Sequence, residues 1–378
     1  MLPWYKPHSG GVVIAVERMS RELVNKGHQA LVLINGNADR IEHVGDEESV
    51  PVYSTHMHFF YWHKTPIRSF IGWLFSLIPT VLRLRRFVKK QNVDVVVVHY
   101  AGAWAFYFLL LRLFYRIPYV VCLHGTDVHH NLVEHWSTRA GIGMVMCRSD
   151  CLVSCSESLL ATARQKLGCK PRRAAVIYQG LNLEWAQASD QPPPGSPYIV
   201  SQGLPLEVKG GDILLKAFAA IAPDYPAVRL KIIGRGDHEK LAQLVAQYGL
   251  AHQVELAGLV PLREIPTLFR HSLFGVIASR REGLPLAAME LQYLRRPVIA
   301  SAVGGLPECI EDGVSGFLVP SENAALLAEK MKTLLDDEPL RVRMGEAGRR
   351  LVREKFEIGR SMDAYLELFE QIVRRRAQ

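Results

Sequence analysis

No uncharged apolar run in this sequence is long enough to cross a bilayer. The two longest, residues 69–82 and 101–111, are broken by Pro79 and ended by Arg112, short of the ~20 residues a spanning helix needs. The opening MLPWYKPHSGG has neither the charged end nor the apolar core of a secretory leader, so a cytoplasmic protein, soluble or peripheral to the inner face of a membrane, is expected. The six cysteines have no paired-knuckle spacing. Cys147, Cys151 and Cys155 recur every four residues, but 151–155 reads as a strand, so no metal site and buried free thiols are expected. No nucleic-acid motif and no internal repeat is present, and nucleic acid is not an expected partner. An acidic excess is missing too: Lys and Arg number 45 against 37 Asp and Glu, a net charge of +8. That balance suits an anionic partner without choosing which.

What is present is ordinary globular composition, 49% hydrophobic, over 378 residues, more than one core usually supports. Gly10-Gly11 feeds a helical pattern over 12–26 that Gly27 closes, and a strand follows at 30–34. A Gly-Gly turn of this kind normally follows a buried strand. Only residues 1–8 precede it, with two prolines and no β-like run, so the first strand is either missing or replaced by irregular chain. Strands are predicted at 93–100 (VDVVVVHY), 119–123, 151–155 and 176–178, alternating with helices as in a parallel, doubly wound sheet. The run SDQPPPGSP at 189–197 is a stiff linker. The alternation then restarts, with strands at 198–202, 229–233, 254–257, 273–278, 298–301 and 317–319. The expected domains are 1–190, a Pro-rich linker at 191–197, 198–360, and a final amphipathic helix over 361–378 that braces the first domain.

The densest chemistry is at 279–290, SRREGLPLAAME. An apolar strand ends in a polar turn with Glu282; Gly283 and Pro285 open a helix, and Glu290 follows about two turns in. Free backbone N–H groups in such a first turn face an anion, and the two acids suit the hydroxyls of a sugar and a ribose. After the 198–202 strand comes SQGLPLEVKG, the usual place of a phosphate loop, with Gly203 and the cation Lys209. Gly234-Arg235-Gly236 closes the next strand, a weak signal taken alone. His124 stands in the loop at the carboxyl end of a strand, a position from which open α/β sheets meet ligands. Asp127 either orients that imidazole or caps the next helix.

The run from Glu282 to residue 319 contains, in order, E-G-x-P, Glu-x7-Glu, P-V-I-A-S, G-G-x-P-E and D-G-x-x-G-F-L-V. With the N-terminal Gly-Gly turn and the Pro-rich linker, it resembles the family 4, group 1 retaining glycosyltransferases. The resemblance implies the GT-B fold, two Rossmann-like doubly wound α/β domains facing across a cleft, the second holding a UDP- or GDP-linked donor and the first the acceptor. It implies donor-binding roles for Gly11, Gly203, Lys209, Arg235, Gly283, Leu284, Leu286 and Glu290, with Glu290 on the ribose. Glu282 on sugar hydroxyls and His124 on the sugar and acceptor side would be the catalytic pair, with Asp127 on the acceptor side. One departure stands out: the family commonly carries Gly-Arg where this chain has Gly203-Leu204, so one diphosphate cation is absent, to be made up by Arg280, Arg281 or Arg235 or not at all.

The implied activity is metal-independent and cofactor-free transfer of a hexose from a nucleotide-sugar to a saccharide or lipid-linked hydroxyl, in cell-surface polysaccharide or glycolipid synthesis. The alternatives are an epimerase or phosphorylase of the same fold, or a degenerate protein that binds nucleotide-sugar without turnover. Between Tyr61 and Val120 nine cations face one acid, Asp94, with Trp62, Phe70, Trp73, Phe75 and Trp104 interleaved. Two readings lead for that stretch, a surface for anionic lipid or a core-facing helix with a solvated polar edge; single-stranded nucleic acid ranks last, for want of a motif.

Overall fold

The computed structural model describes residues 11–47, 49–58, 67–131, 136–168, 170–182, 195, 197–203 and 205–377. The question of a strand before Gly11, the linker at 191–197 apart from Gly195 and Pro197, and Leu204 lie outside them. The chain divides into two compact units, Met1–Gln179 with Gly359–Gln378, and Gly180–Ile358.

Unit 1 opens with α1 (Gly11–Asn25), which buries Val13, Val16 and Met19 and ends before Gly27 at φ 84°. β1 (Val32–Asn35), β2 (Glu42–Glu47) and β3 (Val50–Thr55) form a three-stranded sheet of order β1-β3-β2, parallel between β1 and β3 and antiparallel between β2 and β3. This small sheet departs from the single parallel sheet expected. After α2 (Ile67–Lys90) a separate four-stranded parallel sheet runs in order through β4 (Val96–His99), β5 (Tyr119–Leu123), β6 (Cys151–Ser154) and β7 (Ala174–Val176). Helices α3 (Phe106–Tyr115), α4 (Trp136–Arg148) and α5 (Glu157–Leu167) connect these strands. All five residues of β5 are buried, which is why the strand reads as unbroken apolar sequence. At α5 the Ser156 hydroxyl accepts from the Leu159 N–H, and Gly168 closes the helix in the left-handed region.

Unit 2 is one six-stranded parallel sheet: β8 (Tyr198–Gln202), β9 (Arg229–Ile233), β10 (Val254–Gly258), β11 (Gly275–Ile277), β12 (Val298–Ser301) and β13 (Gly316–Val319). Its order, β10-β9-β8-β11-β12-β13, is the doubly wound 3-2-1-4-5-6 arrangement. The helices are α6 (Leu206–Lys209), α7 (Gly211–Ile221), α8 (His238–Gln247), α9 (Ile265–Arg270), α10 (Leu286–Tyr293), α11 (Leu306–Cys309), α12 (Ala324–Asp336) and α13 (Glu338–Lys355). The core packs Leu214, Phe218, Leu230, Ile232, Phe274, Val276 and Ile299, all fully buried.

The last helix, α14 (Ile358–Ala377), buries Met362, Tyr365, Leu368 and Ile372. Within unit 1, Asp363 pairs with Lys26 at 2.8 Å, Gln371 accepts from Arg173 at 2.6 Å, and Tyr365 Oη lies 3.6 Å from Cys122 Sγ on β5. Cys122, Cys151, Cys155 and Cys309 are free and buried, whereas Cys147 is disulfide-bonded, which corrects the expectation of thiols throughout.

Candidate active site

In a sheet of order 3-2-1-4-5-6 the strand order reverses between β8 and β11, and the loops leaving the carboxyl ends of those two strands frame a crevice. Both loops are built by close backbone contact. Gly210, at φ 63°, would bring a Cβ to 2.1 Å from the Ala278 carbonyl oxygen, so no other residue fits without movement. The Arg280 N–H donates to the Val208 carbonyl at 2.8 Å and ties the loops together. Across them, Lys209 Nζ donates to Glu282 Oε1 at 2.7 Å, and the Ser279 hydroxyl donates to the same oxygen at 2.7 Å. Glu282 is buried, and its backbone is fixed from the far side by Gly304, where a Cβ would stand 2.1 Å from the Glu282 carbonyl oxygen. A cation and a carboxylate are thus fixed at the mouth of the switch point.

Beyond Glu282, Pro285 is the N-cap of α10 and not its first helical residue, so Glu290 lies one turn into the helix instead of two. It is buried, four residues past Leu286 and therefore on the same helical face. Gly283 and Leu284 are buried, and the Gly283 carbonyl accepts from the Gly305 N–H at 2.9 Å. Gly203 follows β8 in a tight spot, where a Cβ would meet the Ile232 side chain at 3.0 Å. Arg235 is exposed in its turn after β9.

Of the three arginines named to replace the missing cation, Arg280 is committed elsewhere. Its guanidinium bonds Asp212 at 2.7 and 3.0 Å, the Leu206 carbonyl at 2.9 Å and Glu322, which raises its pKa through those two carboxylates. It is a brace for the loops. Arg281 and Arg235 are exposed.

In unit 1, β4 and β5 end side by side, and each delivers a histidine at its carboxyl end. His124 Nε2 lies 3.0 Å from His99 Nδ1, with the rings 5.2 Å apart, and the Gln179 amide nitrogen lies 2.8 Å from His124 Nδ1. An amide N–H only donates, so His124 Nδ1 accepts, and Nε2 carries the proton toward His99. Burial pushes the His124 pKa down to about 4 and that of His99 well below its usual value, the latter helped by His124 itself. The pair is neutral at pH 7.

Asp127 opens a helical turn, Asp127–Asn131, and ties down the loop before it. Its fully buried carboxylate accepts from the backbone N–H groups of His124, Gly125 and Val128 at 2.8–3.2 Å, and burial outweighs these bonds to raise its pKa to about 6. Gly11 stands exposed at the start of α1, with open space where a side chain would project. His99, Gln179 and Ser279 were not singled out from sequence. His99 ends the valine run next to the strand of His124, so the strand-end rule that found one reaches the other. Gln179 carries no sequence signal, and Ser279 opens the 279–290 stretch without a role of its own in it.

The family model for Glycosyltransferase Family 4 matches residues 9–185, and that for Glycosyl transferases group 1 matches residues 185–351. The chain belongs to the family 4, group 1 glycosyltransferases. It is 27% identical over 372 residues to an uncharacterized glycosyltransferase of Methanocaldococcus jannaschii, covering 97% of this chain and 96% of that one. To the N-acetyl-alpha-D-glucosaminyl L-malate synthase of Bacillus anthracis it is 24% identical over 390 residues, 97% and 96% of the two chains. Anabaena HepE, solved in complex with UDP and glucose, shares the fold at a TM-score of 0.78 and 17% identity over 98% of each chain. The fold is that of glycosyltransferases with two Rossmann-like domains.

Proposed function

We propose that this glycosyltransferase moves a hexose from a UDP- or GDP-linked donor to an acceptor hydroxyl with retention of anomeric configuration. The observation that carries the reading is the Lys209–Glu282 pair at the β8/β11 switch point, supported by the UDP and UDP-glucose in the HepE complexes. Unit 2 holds the donor. Glu290 binds the ribose hydroxyls, Glu282 the sugar hydroxyls, and Gly203, Arg235, Gly283, Leu284 and Leu286 line the nucleotide-sugar. The backbone N–H groups that open α10 face the diphosphate.

Departure of the diphosphate leaves an oxocarbenium-like sugar and concentrates negative charge on the leaving group. Lys209 and the α10 amides oppose that charge without reorganising. Lys209 is already oriented by Glu282, so the donor meets a positioned cation. In unit 1, neutral His124 has both ring nitrogens engaged, by Gln179 and His99, so it meets a sugar or acceptor hydroxyl only by exchanging one of those bonds, and it does not serve as a cationic acid. Asp127 shapes the loop that presents it, and Gly11, with open space where a side chain would project, leaves room for the donor. We read the chemistry as same-face departure and attack, with neither metal nor cofactor. The acceptor is a saccharide or a lipid-linked hydroxyl at the cytoplasmic face of a membrane, in polysaccharide or glycolipid synthesis. Leu204 favours a second reading, weak donor grip in a binding protein without turnover. Incubation with a donor and free acceptor sugars, followed by NMR of the product, separates these. An α-linked product from an α-donor supports transfer with retention. A β-linked product overturns the retaining step, and interconversion or phosphorolysis alone assigns an epimerase or phosphorylase.

A further inference from the structure

Helix α2 carries apolar residues on two sides. One face belongs to the core through Thr80, Val81, Leu84, Phe87 and Val88. On the opposite side Ile71, Leu74, Phe75 and Ile78 recur at i, i+3, i+4 and i+7 and face solvent, Phe75 at 78% and Ile78 at 68% exposure. At 100° per residue, Lys89 falls in line with Ile71, and Arg86 and Lys90 lie to one side of the same stripe, all three exposed. Neither α2 nor α3 contains an Asp or Glu. The aromatic contact of Trp73 with Phe106 and the stacking of Arg85 on the Tyr115 ring at 4.3 Å lay the two helices side by side and parallel. Phe114, next to Tyr115, is 71% exposed.

We infer that the outward stripe of α2 docks on an anionic lipid bilayer, with Ile71, Leu74, Phe75 and Ile78 entering the interface and Arg86, Lys89 and Lys90 on the headgroups. A helix with an apolar stripe and cations but no acid is built to lie in that plane, and the same charge opposes pairing with a second copy of this chain. The position has a consequence for the chemistry. Helix α2 runs back to the start of β4, so its apolar first half lies toward the carboxyl edge of the sheet, the edge that carries His99 and His124. Docking there holds a lipid-linked acceptor on the side of the histidines. The inference rests on the transfer reading only for the nature of that acceptor.

The test is co-sedimentation of the full chain with phosphatidylcholine vesicles, with and without phosphatidylglycerol, at low and high salt. The chain should pellet with the anionic vesicles and be released by salt, whose screening shortens to about 3 Å at 1 M. Phe75→Ser with Ile78→Ser should lower the partition coefficient by at least about tenfold. Lys89→Glu with Lys90→Glu should lower it and weaken its salt dependence. Nucleotide-induced shifts in melting temperature, measured in the same variants, should be unchanged. A wild-type chain left in the supernatant, substituted chains that bind as well as wild type, or a dimer in sedimentation velocity that the stripe substitutions dissociate would each overturn the assignment. Loss of nucleotide binding alone counts against the transfer reading and leaves the docking surface standing.

Discussion

Lys209 and Glu282 depend on each other. Lys209→Met leaves the Glu282 carboxylate buried with Ser279, and urea unfolding should register a loss of about 3 kcal/mol. Adding Glu282→Gln should restore much of it; an unaffected single variant would show the pair to be idle. Glu290→Ala should weaken nucleotide binding by about tenfold or more in titration calorimetry, whereas His124→Ala should spare binding and slow transfer. Equal loss of affinity from both would contradict that division of roles. The histidines also predict a pH dependence. Folded His124 holds its proton only below about 4, while the unfolded residue titrates near 6.5, so between those values the unfolded state binds more protons and stability falls as pH falls. His99 acts in the same direction. Asp127 opposes them: raised from 3.8 to about 6, it gains stability on acidification through that window. Two groups outweigh one, so stability should drop from pH 6.5 to 4. In His99→Asn with His124→Asn the slope should flatten or reverse; an unchanged slope would remove the histidines from the account. Glu282 and Glu290 stand out in sequence because one motif fixes their spacing, and Lys209 because it lies in the loop that follows a strand end. Gln179, 55 residues from His124, becomes a neighbour of the site only through the fold.

Among the elements, β5, β8, β9 and β12 coincide with their sequence limits, because buried parallel strands are apolar throughout and stop at polar turns. Other elements resisted for identifiable reasons. β2 is an exposed edge, EHVGDE, without an apolar face, and β3 carries Pro51, which pairs only with β2, beyond the segment bonded to β1. β7 is Ala174–Val176, not 176–178, since the apolar run AAVIY has no periodicity to set its ends. Glycines locate the switch point more sharply than any periodicity. Gly304→Ala pushes a methyl against the Glu282 carbonyl and should cost about 1–3 kcal/mol while reducing donor affinity. Chemical denaturation and nucleotide titration of one variant check both; a stable variant with weak binding would point to displacement of Glu282 alone.

For the whole molecule, the two Rossmann-like units follow from the alternation of strands and helices, and the family follows from five motifs in order. The basic, aromatic stretch left two readings open in sequence; α2 has one face in the core and another, apolar, in solvent. No described helix is long and apolar enough to cross a membrane. The most direct test of the central claim is a panel of UDP-, GDP- and ADP-sugars, scored by melting temperature and by slow hydrolysis of the donor. Donor transfer predicts that a UDP- or GDP-sugar raises the melting temperature and is consumed, and that Glu290→Ala abolishes the rise. A panel in which no nucleotide-sugar stabilises the protein and none is consumed would contradict it.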